Sequence, residues 1–173
     1  MNGRTMEGAL TIRPATEEDL PVILAFIRKL ADYERLTHQV EATEQTLRSS
    51  LFAGPPRAEV LLAFVGGRAA GFALFFHNFS TFVGRPGLYL EDIYVDEDCR
   101  GRGIGRALFT RLAEIACERR CQRFEWAVLD WNESAIRFYE GLGARALSDW
   151  RLFRLSGEPL RKLGAGAQKT REG

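Results

Sequence analysis

The chain has 173 residues, 46% of them hydrophobic, and a formal net charge of +1. That length suits one domain with a real core, and the near-neutral balance argues against nucleic acid as the main partner, because duplex binders carry a strong basic excess. No apolar run is long enough to span a bilayer and no signal-type segment stands at either terminus; Cys99, Cys117 and Cys121 lack paired C-x-x-C spacing, so the expectation is a soluble, cytoplasmic protein without membrane contact, disulfides or metal.

Residues 1–9 read as a flexible start, 10–163 as the domain and 164–173 as a disordered tail. Leu10 to Arg13 is a short strand. Thr16 with Asp19 signals a helix start, and the helix runs to about Leu36 with one apolar stripe. Tyr33 and Glu34 fall at its end, where side chains can face a cleft. Thr43 caps a shorter helix through Leu51 or Phe52. Glu59 to Val65 and Ala69 to Phe76, joined by Gly66-Gly67, form a hairpin and make this part of the sheet antiparallel. Asn78 to Gly87 reads as a polar excursion, and Leu88 to Val95 as a strand interrupted by Glu91-Asp92. Two adjacent acids in a strand face opposite ways unless a bulge sets them together. Arg123 to Leu129 is a further strand, Ser134 to Leu142 a helix closed by Gly143, Ala144 to Leu147 and Trp150 to Leu155 a final strand pair, and Pro159 to Leu163 a helical turn.

Between the strand ending at Val95 and the helix Ile104 to Glu118 stands R-G-R-G-I-G, Arg100 to Gly105. Its glycines permit positive φ and close backbone approach, so successive N–H groups can point at one anion. The helix start adds about half a positive charge, and Arg100, Arg102 and Arg106 add whole ones. A phosphate or pyrophosphate is the ligand this pattern suits. Arg106 and Ala107 stand where a P-loop needs Lys-Ser/Thr, and Asp96 to Cys99 separate the strand from the loop, unlike a dinucleotide fold. A plain glycine connector with solvated arginines is the alternative.

The order of parts resembles the GNAT acyltransferase superfamily: R-G-R-G-I-G followed at these separations by Asn132, Ala135 and Tyr139. Y-L-E-D-I-Y-V at Tyr89 to Val95, A-V-L-D-W-N at Ala127 to Asn132 and R-F-Y at Arg137 to Tyr139 resemble its diamine and thialysine N-acetyltransferase branch, to which spermidine/spermine N-acetyltransferase belongs. The resemblance implies an α/β (α+β) fold in a single domain, with a mixed, largely antiparallel sheet flanked by helices. It implies acetyl-CoA as co-substrate, with the pyrophosphate on Arg100, Gly101, Arg102, Gly103, Ile104, Gly105 and Arg106. The pantetheine would lie along Ile93, Tyr94 and Val95 and meet Asn132, Glu133, Ser134, Ala135 and Tyr139. It also implies a homodimer, with Trp150, Leu152 and Phe153 near the interface.

The expected reaction is acetyl transfer to a small primary amine by direct attack in a ternary complex, no cysteine standing at a nucleophile position. An amine with a pKa of about 10.4 must lose a proton at a cost of roughly 4 kcal/mol at neutral pH. Glu91 is the candidate base, directly or through water, and Tyr139 the candidate acid for the departing thiolate. A backbone N–H from Ile93 to Val95 would steady the thioester oxygen. Tyr33, Glu34, Glu91, Asp92 and Asp130 are candidates for holding a cationic acceptor. Only Asp149 precedes Trp150, and Ser80 and Thr81 stand where the polyamine enzymes carry an acid, so a smaller amine such as thialysine or a diamine fits at least as well as a long polyamine. Acetylation of a protein lysine or N-terminus, and acyl-CoA sensing without turnover, are the competing readings.

Overall fold

The computed structural model describes residues 8–169. Contacts divide the chain into two units at Ala127 and Val128. The first unit is built on a five-stranded sheet in the order β1 (Leu10–Pro14), β2 (Glu59–Val65), β3 (Arg68–Ser80), β4 (Arg85–Val95) and β5 (Phe124–Trp126). All neighbours are antiparallel except β4 and β5, which run parallel. The β2–β3 turn follows from its glycines: φ is 57° at Gly66 and 78° at Gly67, the pair of positive values that a two-residue hairpin turn demands.

Helices lie on the sheet because their apolar stripes need a partner surface. On one face, α1 (Leu20–Tyr33) and α2 (Glu44–Leu51) place Ile23, Phe26, Leu30 and Leu51 against Val60, Leu62, Phe72 and Tyr94. Phe26 stacks on Phe72 with ring centroids 5.6 Å apart. Each fully buried Leu, Ile or Phe here contributes roughly 1.5–3 kcal/mol. The entry to α1 is fixed by Asp19, which accepts from the Thr16 N–H at 2.7 Å; Thr43 Oγ1 accepts from the Thr46 N–H at 3.2 Å to start α2. α3 (Ile104–Glu118) packs on the sheet through Leu108, Phe109, Leu112 and Ile115. Phe109 meets Phe124 at 5.5 Å and Trp126 at 5.0 Å, so the short β5 is held by aromatic packing as well as by its ladder.

Four expectations are corrected here. Asn78 to Gly87 is not an excursion: Asn78 pairs with Gly87, Phe79 with Pro86 and Ser80 with Arg85, so the ladder continues to a turn at residues 81–84. Turn-forming composition misled because the main-chain partner lies across the hairpin. The strand expected over Arg123 to Leu129 shortens to Phe124–Trp126, where β4 offers Leu88 to Leu90 as partners. In the second unit, α4 (Glu133–Gly141) is followed by irregular chain with a turn at residues 148–149: among the described residues neither 144–147 nor 150–155 forms a strand. Without a ladder partner their apolar residues stay out, Trp150 at 77% and Phe153 at 88% exposure. Lastly, Pro159 to Leu163 is not an isolated turn but part of α5 (Gly157–Lys169). Residues 1–7 and 170–173 of the expected flexible ends lie outside the described residues.

Candidate active site

The strand alternation breaks inside β4. Leu74 pairs with Asp92, but the next residue, Phe75, pairs with Leu90, leaving Glu91 as one extra residue in the ladder. This is the bulge that the adjacent acids left open. Its effect follows from face counting. Leu74 packs with the cluster beneath α1, as do Phe72 and Tyr94, so Asp92 shares that face with its partner. Phe75 points to the other side, where the Arg119 guanidinium lies 5.9 Å from its ring; Leu90 goes with it. The strand thus changes face at Glu91, and Asp92 is carried to the side of α1.

α1 ends at Tyr33, with Glu34 as its cap residue donating its N–H to the Leu30 carbonyl at 2.9 Å. Its turn out of the helix uses Arg35 at φ 61°. Burial raises the Glu34 carboxyl above its ordinary range. Asp92 is displaced much further, to about 6, first by burial and then by the negative charges of Glu91 and Glu34. Glu34, Glu91 and Asp92 therefore form one electrostatic cluster in which a carboxylate is costly unless a cation joins it. Glu91 itself is exposed.

Beyond β4 a short turn at Glu97–Cys99 leads to the glycine loop. Gly101 and Gly103 adopt φ of 72° and 80°, and at neither position does any atom lie within 4 Å of where a Cβ would stand. Gly103 is the residue before α3; it offers no capping side chain, and the first turn holds no acid. The first amides of a helix have no intrahelical acceptor. This start, flanked by exposed Arg102 and Arg106, fits a phosphate group on backbone donors. The Arg100 side chain has other partners: its Nε donates to the Val95 carbonyl at 3.1 Å. Burial raises the Tyr94 phenol above its usual value, and Ile93 and Val95 are half-buried beside it.

The remaining candidates belong to the second unit. Asn132 caps α4, its Oδ1 accepting from the Ala135 N–H at 3.3 Å and from Ser134 Oγ at 3.1 Å. Glu133 opens the helix and Tyr139 lies in its last turn, half-buried, with its ring 5.6 Å from Phe138. Gly143 closes it at φ 89°. Asp130 is exposed. The sequence reading did not foresee two features: the elevated Asp92 and the use made of Arg100. The first had a signal in the neighbouring acids; the second is set by a fold-dependent meeting with two tyrosines.

A mixed sheet flanked by helices, whose bulged fourth strand leads into a glycine loop and a helix start without an acid, defines the class of α/β fold to which this protein belongs. The acetyltransferase (GNAT) family matches residues 24–144, and the chain belongs to it. It is 40% identical over 166 residues to the thialysine N-epsilon-acetyltransferase of Sus scrofa, covering 90% of this chain and 97% of that one. It is 34% identical to an L-ornithine N5-acetyltransferase of Arabidopsis thaliana, over 88% of this chain and 86% of the relative. An integron cassette protein from the mobile metagenome of V. cholerae superposes with a TM-score of 0.76 at 27% identity, covering 90% of this chain and 97% of that one. The protein is therefore an N-acetyltransferase enzyme in the thialysine and diamine branch of its family. Among the described residues, no helix is long and apolar enough to cross a membrane.

Proposed function

We propose that this enzyme transfers the acetyl group of acetyl-CoA to the side-chain amine of a small molecule that carries a further charged group, thialysine or a short diamine, in the cytoplasm and by direct attack in a ternary complex. The observation that carries the reading is the Glu34, Glu91 and Asp92 cluster, with Asp92 raised to about 6. A half-buried carboxylate surrounded by like charge is stabilised by an organic cation, and a docked ammonium draws its proton equilibrium back down. The names of the relatives agree, since thialysine and ornithine both present an amine at the end of a short chain.

In this reading acetyl-CoA supplies the activated acetyl group, with its pyrophosphate on the amides of Gly101 to Gly105 and its pantetheine toward Ile93 to Val95 and Asn132 to Ala135. Asp92 and Glu34 hold the acceptor's charge, with Tyr33 and Asp130 lining its path. Glu91, exposed at the bulge, takes the proton of the attacking amine directly or through one water. Tyr139 returns a proton to the thiolate that leaves. A homodimer belongs to the same proposal, supported by the exposure of Trp150, Leu152 and Phe153 at 77%, 79% and 88%, and sedimentation at micromolar concentration tests it.

The decisive experiment follows thiol release from acetyl-CoA over thialysine, ornithine, lysine, short diamines, spermidine and a lysine peptide. Thialysine or a short diamine is expected to give the highest kcat/KM. Tyr139→Phe is expected to lower kcat by two orders of magnitude or more with CoA affinity retained. A preference for the peptide, or no turnover with any amine, sinks the proposal.

A further inference from the structure

The face of the sheet that carries Asp92 continues past it toward the β3–β4 turn. Side chains two apart on a strand share a face, so Leu74, Phe76 and Asn78 follow one another on β3, and opposite them on β4 stand Asp92, Tyr89 and Gly87. The next strand joins the same face: Glu125 is the ladder partner of Tyr89, and Arg123 comes two residues before it. Phe76 and Tyr89 meet with ring centroids 5.1 Å apart, an apolar shelf one step from Asp92. One step further, polar groups gather. Asn78 Nδ2 donates to Glu125 Oε2 at 2.8 Å, Arg123 Nε lies 2.9 Å from the same oxygen, and Arg123 Nη2 donates to the Phe79 carbonyl at 3.4 Å.

Gly87 makes room for this node. A Cβ there would collide with Asn78 Oδ1 and stand 2.8 Å from Arg123 Cγ, so only a bare position on β4 lets side chains from β3 and β5 lie across it. The chain's own groups do not close the node. Asn78 Oδ1 and Arg123 Nε are buried atoms without a hydrogen bond among the described residues, a condition that proteins resolve with a water or a ligand. The Arg123 and Glu125 side chains are still 38% and 29% exposed, so the pair offers one cation and one anion side by side.

Charge and length define what fits. The Glu34, Glu91 and Asp92 cluster suits an ammonium. The Arg123 and Glu125 pair suits a carboxylate and an ammonium held close together, which is the α-carbon end of an amino acid. Two strand steps of two residues separate the sites, about 13 Å. From the terminal nitrogen of thialysine to its carboxylate carbon there are six bonds, which span roughly 7–8 Å when extended. A charge-assisted hydrogen bond of about 2.8 Å at each end brings the reach to about 13 Å. The sulfur in the middle of that chain would rest on the Phe76 and Tyr89 rings, a contact that thioethers favour. A diamine brings a second cation instead, which Arg123 repels.

We infer that Arg123, Glu125 and Asn78 form a subsite for the amino-acid end of the acceptor: Arg123 takes its carboxylate and Glu125 its α-ammonium, while the side-chain amine stands at the Asp92 end. The subsite rests on the function proposed above and narrows it, from thialysine or a short diamine to an α-amino acid with a terminal amine.

The test measures acetyl-CoA turnover with thialysine, ornithine and lysine, each against the diamine left when its carboxylate is removed. Wild type is expected to favour each amino acid over its diamine at least tenfold in kcat/KM, and masking the thialysine carboxylate as a methyl ester is expected to raise KM at least tenfold. In Arg123→Gln the preference is expected to fall below threefold, through KM rather than kcat. The subsite is overturned if wild type favours the diamines or treats the pairs alike, or if the methyl ester matches thialysine. It is equally overturned if Arg123→Gln lowers both members of each pair and keeps their ratio, as a merely structural strut between β3 and β5 would. The ester needs no variant, so it decides the matter should Arg123→Gln fail to fold. A preference for diamines sinks the subsite and leaves the proposed function standing. If wild type acetylates no amine, the proposed function fails, and calorimetric titration of thialysine and its diamine into CoA-loaded enzyme decides the subsite: tenfold tighter thialysine supports it, and equal affinity or no binding of either overturns it.

Discussion

Two aspartates of the sheet-bearing unit, Asp19 buried and Asp92 half-buried, have been driven in opposite directions. Asp19, at the junction of β1 and α1, is 8% exposed. Its carboxylate accepts from Arg13 at 2.7 and 2.9 Å, from the Thr16 N–H at 2.7 Å and from the Thr16 hydroxyl at 3.1 Å. These donors, Arg13 first, hold its pKa down to about 2 despite burial. Asp92, beside the bulge of β4, is pushed up to about 6 because burial is joined by the charges of Glu91 and Glu34. Burial alone is therefore no mark of function. What separates the two is whether the surroundings have already answered the charge, as Arg13 and Thr16 do for Asp19 and as the acids around Asp92 do not.

The two sites carry opposite pH signatures. A lowered carboxyl stabilises the fold above its unfolded value and loses that contribution as pH falls, so the stability from Asp19 drains away between about 4 and 2. A raised carboxyl binds more protons folded than unfolded, so Asp92 makes the free protein less stable as pH climbs from about 4 to 6, and the deficit persists above. In the proposed complex, an ammonium docked beside Asp92 is expected to reverse that deficit.

The largest expected effect is at Asp92. Asp92→Asn is predicted to lower kcat/KM for thialysine by two orders of magnitude or more and to remove an acidic limb near pH 6 from its pH profile, while the melting temperature at pH 8 rises or holds. A profile with the limb intact in the variant would detach Asp92 from the acceptor. Glu34→Gln comes next. Removing one of the two neighbouring charges lowers the Asp92 pKa, so the limb is expected at lower pH, with kcat/KM down about tenfold. Asp19→Asn completes the contrast. It is expected to cost about 2 kcal/mol in urea denaturation at pH 7, from a carboxyl held near 2 rather than 3.8. That cost shrinks toward pH 2, and kcat/KM stays within threefold throughout.

Local chemistry was legible in the sequence and partnership was not. The Gly66-Gly67 hairpin, the Thr43 cap and the Gly143 helix end are decided by a few adjacent residues, and the structure has each of them. The glycine loop was legible for the same reason. Whether Glu91 and Asp92 would part or gather depended on how β4 registers with β3, where Phe75 meets Leu90 and Leu74 meets Asp92 from across the hairpin. The segments from Ala144 to Leu155 looked like strands because their composition suits one, but a strand also needs a neighbour to receive its hydrogen bonds. Arg100 shows the same limit at a single side chain: its motif is local, whereas its contact with the Tyr33 ring comes from α1.

The extra residue in β4 makes one continuous strand behave as two cassettes. Leu88 and Leu90 lie on one surface and Asp92 and Tyr94 on the other, although all four are spaced by two. A chimera that exchanges β4 with a relative will keep its core only if the splice preserves the count on both sides of Glu91. A cut that drops Glu91 itself leaves Leu90 opposite Phe75 and Asp92 opposite Leu74 in a regular ladder, so both faces survive and what is lost is one of the two charges beside Asp92.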